Sequence, residues 1–203
     1  MYLKTKLVEK SNDMNKDEKV KFEILEAARK VFQKWGINKT TMEDIAAESG
    51  KGKSTLYYYF KSKHEIFEEI AQNEIQKISN IALNKINLVM SPKEKLKNYL
   101  TSTLTELKNT VSLYPLVMGE VKGNKEIIEK IRNQWDQKEE SILKDILKAG
   151  IKSDEINFIN YSELDKAANV MVGIVRGLFN YLFLDNEDIE KIDIATRIIS
   201  GYI

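Results

Sequence analysis

No cysteine occurs among the 203 residues, which excludes disulfides, thiolate zinc sites and cysteine nucleophiles, and fits a reducing compartment. Two prolines and nine glycines are too few breakers for an all-β chain, which needs a turn roughly every ten residues. The single histidine, His64, has no carboxylate cluster near it in the sequence, so general-base and metal chemistry have little to stand on. No catalytic residue, metal site or cofactor is expected. The longest apolar run, Val170 to Leu184, is interrupted by Arg176 and Asn180 and falls short of the ~20 residues a membrane span needs. The first 19 residues carry charges every few positions and no apolar signal core, so a cytoplasmic location without a membrane partner is expected.

What is present favours helices. Apolar residues make up 42% and charged residues 31% of the chain, a balance that supports a packed core. The net charge of +1 hides a segregation: residues 1–63 hold 14 basic and 9 acidic side chains, the remainder 18 and 22. A basic first third suggests that this part meets a polyanion.

Helical spacing runs through most of the sequence. Asp17–Trp35 places Val20, Ile24, Ala27, Ala28, Val31 and Trp35 on one face, with Gly36 as a stop. Thr41 is placed to cap a second helix, in which Ile45 and Ala46 face inward and Gly50 ends the element. A short third helix covers about Lys53–Tyr59. Ser62 and Glu65 form a capping signal for a long helix whose apolar stripe continues from Phe67 to Val89, and Ser91-Pro92 breaks it. Further stripes follow, one ended by Tyr114-Pro115, one by Gly150, then helices over Tyr161–Leu184 and Ile189–Ile203. Between them "IKSDEINFIN" reads as polar and irregular.

The segment "SGKGKSTLYYYFKSK", Ser49–Lys63, resembles the end of a P-loop, since Gly52-Lys53-Ser54 fits the last three positions. The glycine needed five residues earlier is Ala47, however, and no strand precedes it. A helix-turn-helix accounts for the same residues better. Ala46 allows close helix approach, Gly50 makes the turn, and Leu56 anchors the second helix. That helix then presents Lys51, Lys53, Ser54 and Thr55 to a major groove, with Tyr57, Tyr58 and Tyr59 at its end. Phe60 is core by pattern, and Tyr57 divides between core and contact.

The stretch "ILEAARKVFQKWGINKTTMEDIAAESGKGKSTLYYYFKSKHEIF" resembles the DNA-binding domain of the TetR (tetracycline-repressor-like) family of transcriptional regulators. The likeness covers about Glu18 to Lys77. It departs locally: where the family most often reads "AGVSKGTLY", this chain has "SGKGKSTLY". The resemblance implies an all-α protein, with an N-terminal three-helix helix-turn-helix domain joined by a long helix to a C-terminal helical ligand-binding and dimerisation domain. The expected boundaries are an extension over 1–17, a DNA-binding domain over 18–78 and a second domain over 79–203. Base-facing positions would be Lys53, Ser54, Thr55 and Tyr58. Thr41, Tyr57, Tyr59 and Lys63 would hold the DNA backbone, with Lys51 adding a phosphate contact.

The resemblance further implies a ligand-responsive repressor, not an enzyme, that binds a palindromic double-stranded DNA operator as a homodimer. An unidentified small-molecule effector would bind among the central helices, where Tyr99, Thr103, Tyr114, Met118, Trp135, Glu139 and Phe179 combine aromatic bulk with polar groups. Gly173 and Gly177 lie four apart on one helix face, and close helix approach offsets their cost of ~1 kcal/mol each. With Val170, Ile174, Leu178, Tyr181 and Ile198 they form the expected dimer contact. The alternative is a helical adaptor that binds a protein partner through its C-terminal domain.

Overall fold

The computed structural model describes residues 15–112 and 125–184, together with residues 191, 194, 195, 197 and 198. Seven α-helices, a 3-10 turn and no strand are found among the described residues: α1 Lys16–Lys39, α2 Met42–Ser49, α3 Lys53–Tyr59, α4 Lys63–Asn84, α5 Pro92–Ser112, α6 Lys125–Lys152, the 3-10 turn Tyr161–Glu163 and α7 Leu164–Leu184. The fold is all-α, as the sequence suggests. The chain forms two compact units, with boundaries within α4 after Gln72 and within α6 after Ile127; of the described residues the first unit holds 15–72 and 125–127, the second the rest.

In the first unit, Asn15 opens α1 by accepting from the Glu18 N–H at 2.9 Å, and Glu18 accepts in return from the Asn15 N–H. Ile24, Leu25, Ala28 and Phe32 are buried along its inner face. At Gly36 the backbone turns to φ +79°, a conformation glycine adopts without strain, and one further turn reaches Lys39. Trp35, expected to face inward, is 42% exposed; Phe32 fills the interior, and the Lys34 ammonium lies 4.9 Å over the Trp35 ring.

Thr41 caps α2 reciprocally with Asp44. Gly50 closes α2 at φ +64°, where the Lys51 N–H donates to the Ala46 carbonyl at 3.1 Å. The chain then enters α3, whose Leu56 is fully buried with Phe60 against Ile45, Ile66 and Ile70. Phe32 and Phe67 meet edge to face at 5.9 Å.

Ser62 caps α4 by accepting from the Glu65 N–H at 3.2 Å. The helix stops at Asn84 rather than Val89. The Asn87 side chain accepts from the Val89 and Met90 N–H groups at 3.0 and 3.2 Å, a local turn that competes with helix, and Leu88 and Val89 lie in solvent. Ser91 and Glu94 then cap α5, with Pro92 in the first helical position.

The second unit packs α5, α6 and α7 around Leu96, Tyr99, Leu100, Leu104, Leu143, Leu147, Ala168 and Val172. Gly150, expected to stop α6, stays helical and serves to admit Ile156. A Cβ there would overlap Ile156 Cδ1 and sit 2.6 Å from Cγ1. The Gly150 carbonyl accepts from the Glu155 and Ile156 N–H groups, both at 3.1 Å, and Asp154 at φ +59° turns the chain. Ile156, in the stretch read as irregular and polar, is therefore core.

Candidate nucleic-acid interface

Every expected DNA-contact residue lies in the first unit. Leu56 and Phe60 face the core, which turns the other side of α3 outward: Lys53, Ser54, Tyr57 and Tyr58 are exposed, Tyr58 by 77%. The Tyr58 ring meets Tyr59 edge to face at 4.9 Å, and the Lys53 ammonium is 5.9 Å from the Tyr57 ring centroid. Thr55 is half-buried.

Several of these groups already have partners inside the domain. Lys53 pairs with Glu43, whose carboxyl is held below the usual range by that bond while the ammonium is held above its own. Lys51, less exposed, pairs with Glu23 of α1 at 2.7 Å. The Tyr59 hydroxyl donates to Asp17 at 2.8 Å, which pushes the phenol up. Lys63 donates to the Asn38 and Thr40 carbonyls at 2.9 and 2.8 Å, and so holds α4 to the loop after the Gly36 break. The Thr41 hydroxyl and backbone N–H donate to the Asp44 carboxylate at 2.6 and 2.9 Å and keep it below its ordinary value, while the hydroxyl accepts from the Asp44 N–H at 3.2 Å. Sequence reasoning missed Glu43, Glu23 and Asp17. Glu43 and Lys53 stand ten positions apart, and only the turn at Gly50 brings them together.

In the second unit four of the expected effector residues, Tyr99, Thr103, Trp135 and Glu139, are described with their side chains, and Phe179 by its backbone. Tyr99, Thr103 and Glu139 are buried, Glu139 to 2% exposure, and the Tyr99 hydroxyl donates to Glu139 Oε1 at 2.7 Å. Burial pushes the Glu139 carboxyl above the usual range; the Tyr99 hydroxyl, the Trp135 indole and Lys138 pull it back. The Tyr99 phenol is raised by burial first and then by Glu139. Asp136, beside them on α6, pairs with Arg176 of α7. Tyr114 and Met118, and the side chain of Phe179, lie outside the described residues.

Of the expected dimer residues, Val170, Gly173, Ile174, Gly177 and Ile198 are exposed and Leu178 is half-buried. A Cβ added at Gly173 or Gly177 would meet nothing within 4 Å. The Tyr181 side chain lies outside the described residues.

Comparison with known proteins agrees with this geometry. Residues 24–70 match the family "Bacterial regulatory proteins, tetR family". The HTH-type transcriptional regulator YhgD of Bacillus subtilis is 28% identical over 137 residues, 66% of this chain and 70% of its own. The HTH-type transcriptional repressor KstR2 of Mycolicibacterium smegmatis is 26% identical over 100 residues, 49% of each chain. Among solved structures, a transcriptional regulator from Cytophaga hutchinsonii superposes with a TM-score of 0.66 at 25% identity, covering 88% of this chain and 93% of that one. No helix among the described residues is long and apolar enough to cross a membrane.

Proposed function

Because the chain belongs to the TetR family of DNA-binding transcriptional regulators, we propose that it acts as a ligand-responsive repressor, binding a palindromic operator as a homodimer. One observation carries this reading. Leu56 fixes α3 in the core, and the opposite side of the same seven-residue helix offers Lys53, Ser54, Tyr57 and Tyr58 to solvent. Lysine and hydroxyl donors suit phosphate oxygens and base edges.

In this proposal residues 18–78 bind DNA, with Lys53, Ser54, Thr55 and Tyr58 toward the bases. Thr41, Lys51, Tyr57, Tyr59 and Lys63 meet the sugar-phosphate backbone, and they reach it by sharing or exchanging their internal partners. Residues 79–203 bind the effector and form the dimer. The buried groups Tyr99, Thr103 and Glu139, with the half-buried Trp135, support an effector site, since a small-molecule pocket combines apolar walls with few polar groups. The exposed apolar face Val170–Gly173–Ile174–Gly177 of α7 supports dimer contact. An effector that changes operator affinity by about 5- to 150-fold need supply only ~1–3 kcal/mol of coupling. Repression rather than activation is favoured by the name of the relative KstR2.

Titration against labelled DNA from the upstream region of its own gene, at several salt concentrations, tests the reading. A steep salt dependence together with a large preference over scrambled DNA is expected. Equal affinity for both sequences refutes it. The open α7 face would then favour an adaptor that binds a protein partner.

A further inference from the structure

The surface that faces DNA in this reading carries a carboxylate. Glu43, the second residue of α2, pairs with Lys53, the first residue of α3, and the two side chains are 57% and 56% exposed. Lys51, on the other side of Gly52, is tied instead to Glu23 of α1 and is half as exposed. Glu43 and Lys53 thus stand together in the open, with the Lys53 ammonium 5.9 Å from the centroid of the exposed Tyr57 ring.

If this surface served phosphate binding alone, a carboxylate would only weaken it, because affinity for the DNA backbone grows with the cations presented. An ion pair this exposed also adds little to stability. What the pair does offer is one acceptor held beside one donor. In the major groove a guanine shows two adjacent acceptors, O6 and N7, and its cytosine shows the N4 amino donor. An ammonium bridges O6 and N7, and a carboxylate accepts from N4. An A·T pair has no two adjacent acceptors for one ammonium, and the thymine methyl group stands beside them.

We infer that Glu43 and Lys53 together read one G·C pair in each half-site, Lys53 donating to guanine and Glu43 accepting from cytosine. The inference rests on the DNA-binding reading above, and it makes Glu43 a specificity-determining residue. The exposed ion pair is the resting form of the couple. Its two members exchange one another for base edges at little cost, so charge balance is kept when DNA arrives.

The test is selection from a randomised duplex library by the wild-type protein and by Glu43→Ala, followed by anisotropy titrations on the enriched site. Circular dichroism melting checks that the variant folds; Glu43→Leu replaces it if Ala does not. The wild type is expected to enrich a site with a G·C pair in each half. Changing that pair to A·T should weaken wild-type binding by roughly 5- to 150-fold, the range for one mismatched pair, and should weaken the variant by less, because only Lys53 still reads the guanine. The variant should also bind scrambled DNA more tightly, because a repelling carboxylate is gone. A folded Glu43→Ala protein that keeps the full wild-type preference at every position overturns the inference and leaves the regulator reading intact. A wild type that enriches no sequence at all overturns both.

Discussion

Replacing Glu139 with glutamine should change how stability depends on pH. Glu139 is 2% exposed and accepts from the Tyr99 hydroxyl at 2.7 Å. Burial raises its carboxyl above the usual range and outweighs the Tyr99, Trp135 and Lys138 contributions that favour ionisation; Asp136 adds to the rise. In the unfolded chain the same group ionises near pH 4.3, about the reference value for glutamate. Between that pH and the folded value, the folded protein holds a proton that the unfolded chain has released. The stability contributed by the neutral carboxyl is therefore complete below about pH 4.3 and is lost as pH rises through the folded value. The slope reaches at most ~1.4 kcal/mol per pH unit.

Glu139→Gln keeps an oxygen for Tyr99 and removes the titration. Relative to wild type, the variant should gain up to ~1.4 kcal/mol per pH unit within that window, or roughly 3 to 6 °C in Tm for a chain of this size. Thermal melts of both proteins from pH 4.5 to 8.5 read this directly. Tyr99→Phe, which removes the hydroxyl that donates to the carboxyl, should cost about 1–3 kcal/mol and extend the window to higher pH. A Tm difference between wild type and Glu139→Gln that stays flat across the range refutes the reasoning.

Other changes isolate single features. Thr41→Ala removes the cap of α2 and should lower stability by ~1 kcal/mol in urea unfolding. Gly50→Ala should cost about 1 kcal/mol by the same measurement although its Cβ meets nothing, because the penalty lies in φ +64° alone. Tyr58→Ala should leave the melting temperature unchanged and weaken binding to the preferred DNA; loss of folding would contradict an outward Tyr58. Gly177→Leu should shift sedimentation toward monomer without altering the circular dichroism spectrum, and an unchanged profile moves the dimer contact elsewhere.

Much of the first unit was legible because its signals are local. Thr41 as a cap, Ser62 with Glu65, and Gly50 at the turn each state their role within a few residues, and all three features form as read, with Asp44 completing the Thr41 cap. The short helix read over about Lys53–Tyr59 forms with those bounds. Trp35 misled because both it and Phe32 satisfy the helical period, and only packing against Phe67 decides between them. The stripe toward Val89 continued on paper past a point where the Asn87 side chain satisfies two backbone N–H groups by itself. Gly150 looked like a stop, yet its reason is the room Ile156 takes, a contact set by a reversal that periodicity does not record. The partners of the candidate DNA residues were illegible for one reason. Glu43 to Lys53 and Asp17 to Tyr59 join different helices, Glu23 to Lys51 joins α1 to the turn before α3, and charge at a distance in sequence carries no register.

The brevity of α3 has a last consequence. Seven residues are about half of what a helix needs to persist alone in water. Its backbone is bracketed by the Gly52 carbonyl, which takes the Thr55 and Leu56 N–H groups, and by the Phe60 N–H, which returns to Leu56. Cut free as a peptide, Lys53–Tyr59 would be a coil with no fixed arrangement of lysine and tyrosine. Whatever α3 reads is thus read by the folding of Leu56 and Phe60 into their neighbours, and a lesion in that interior would erase recognition without touching a single outward side chain.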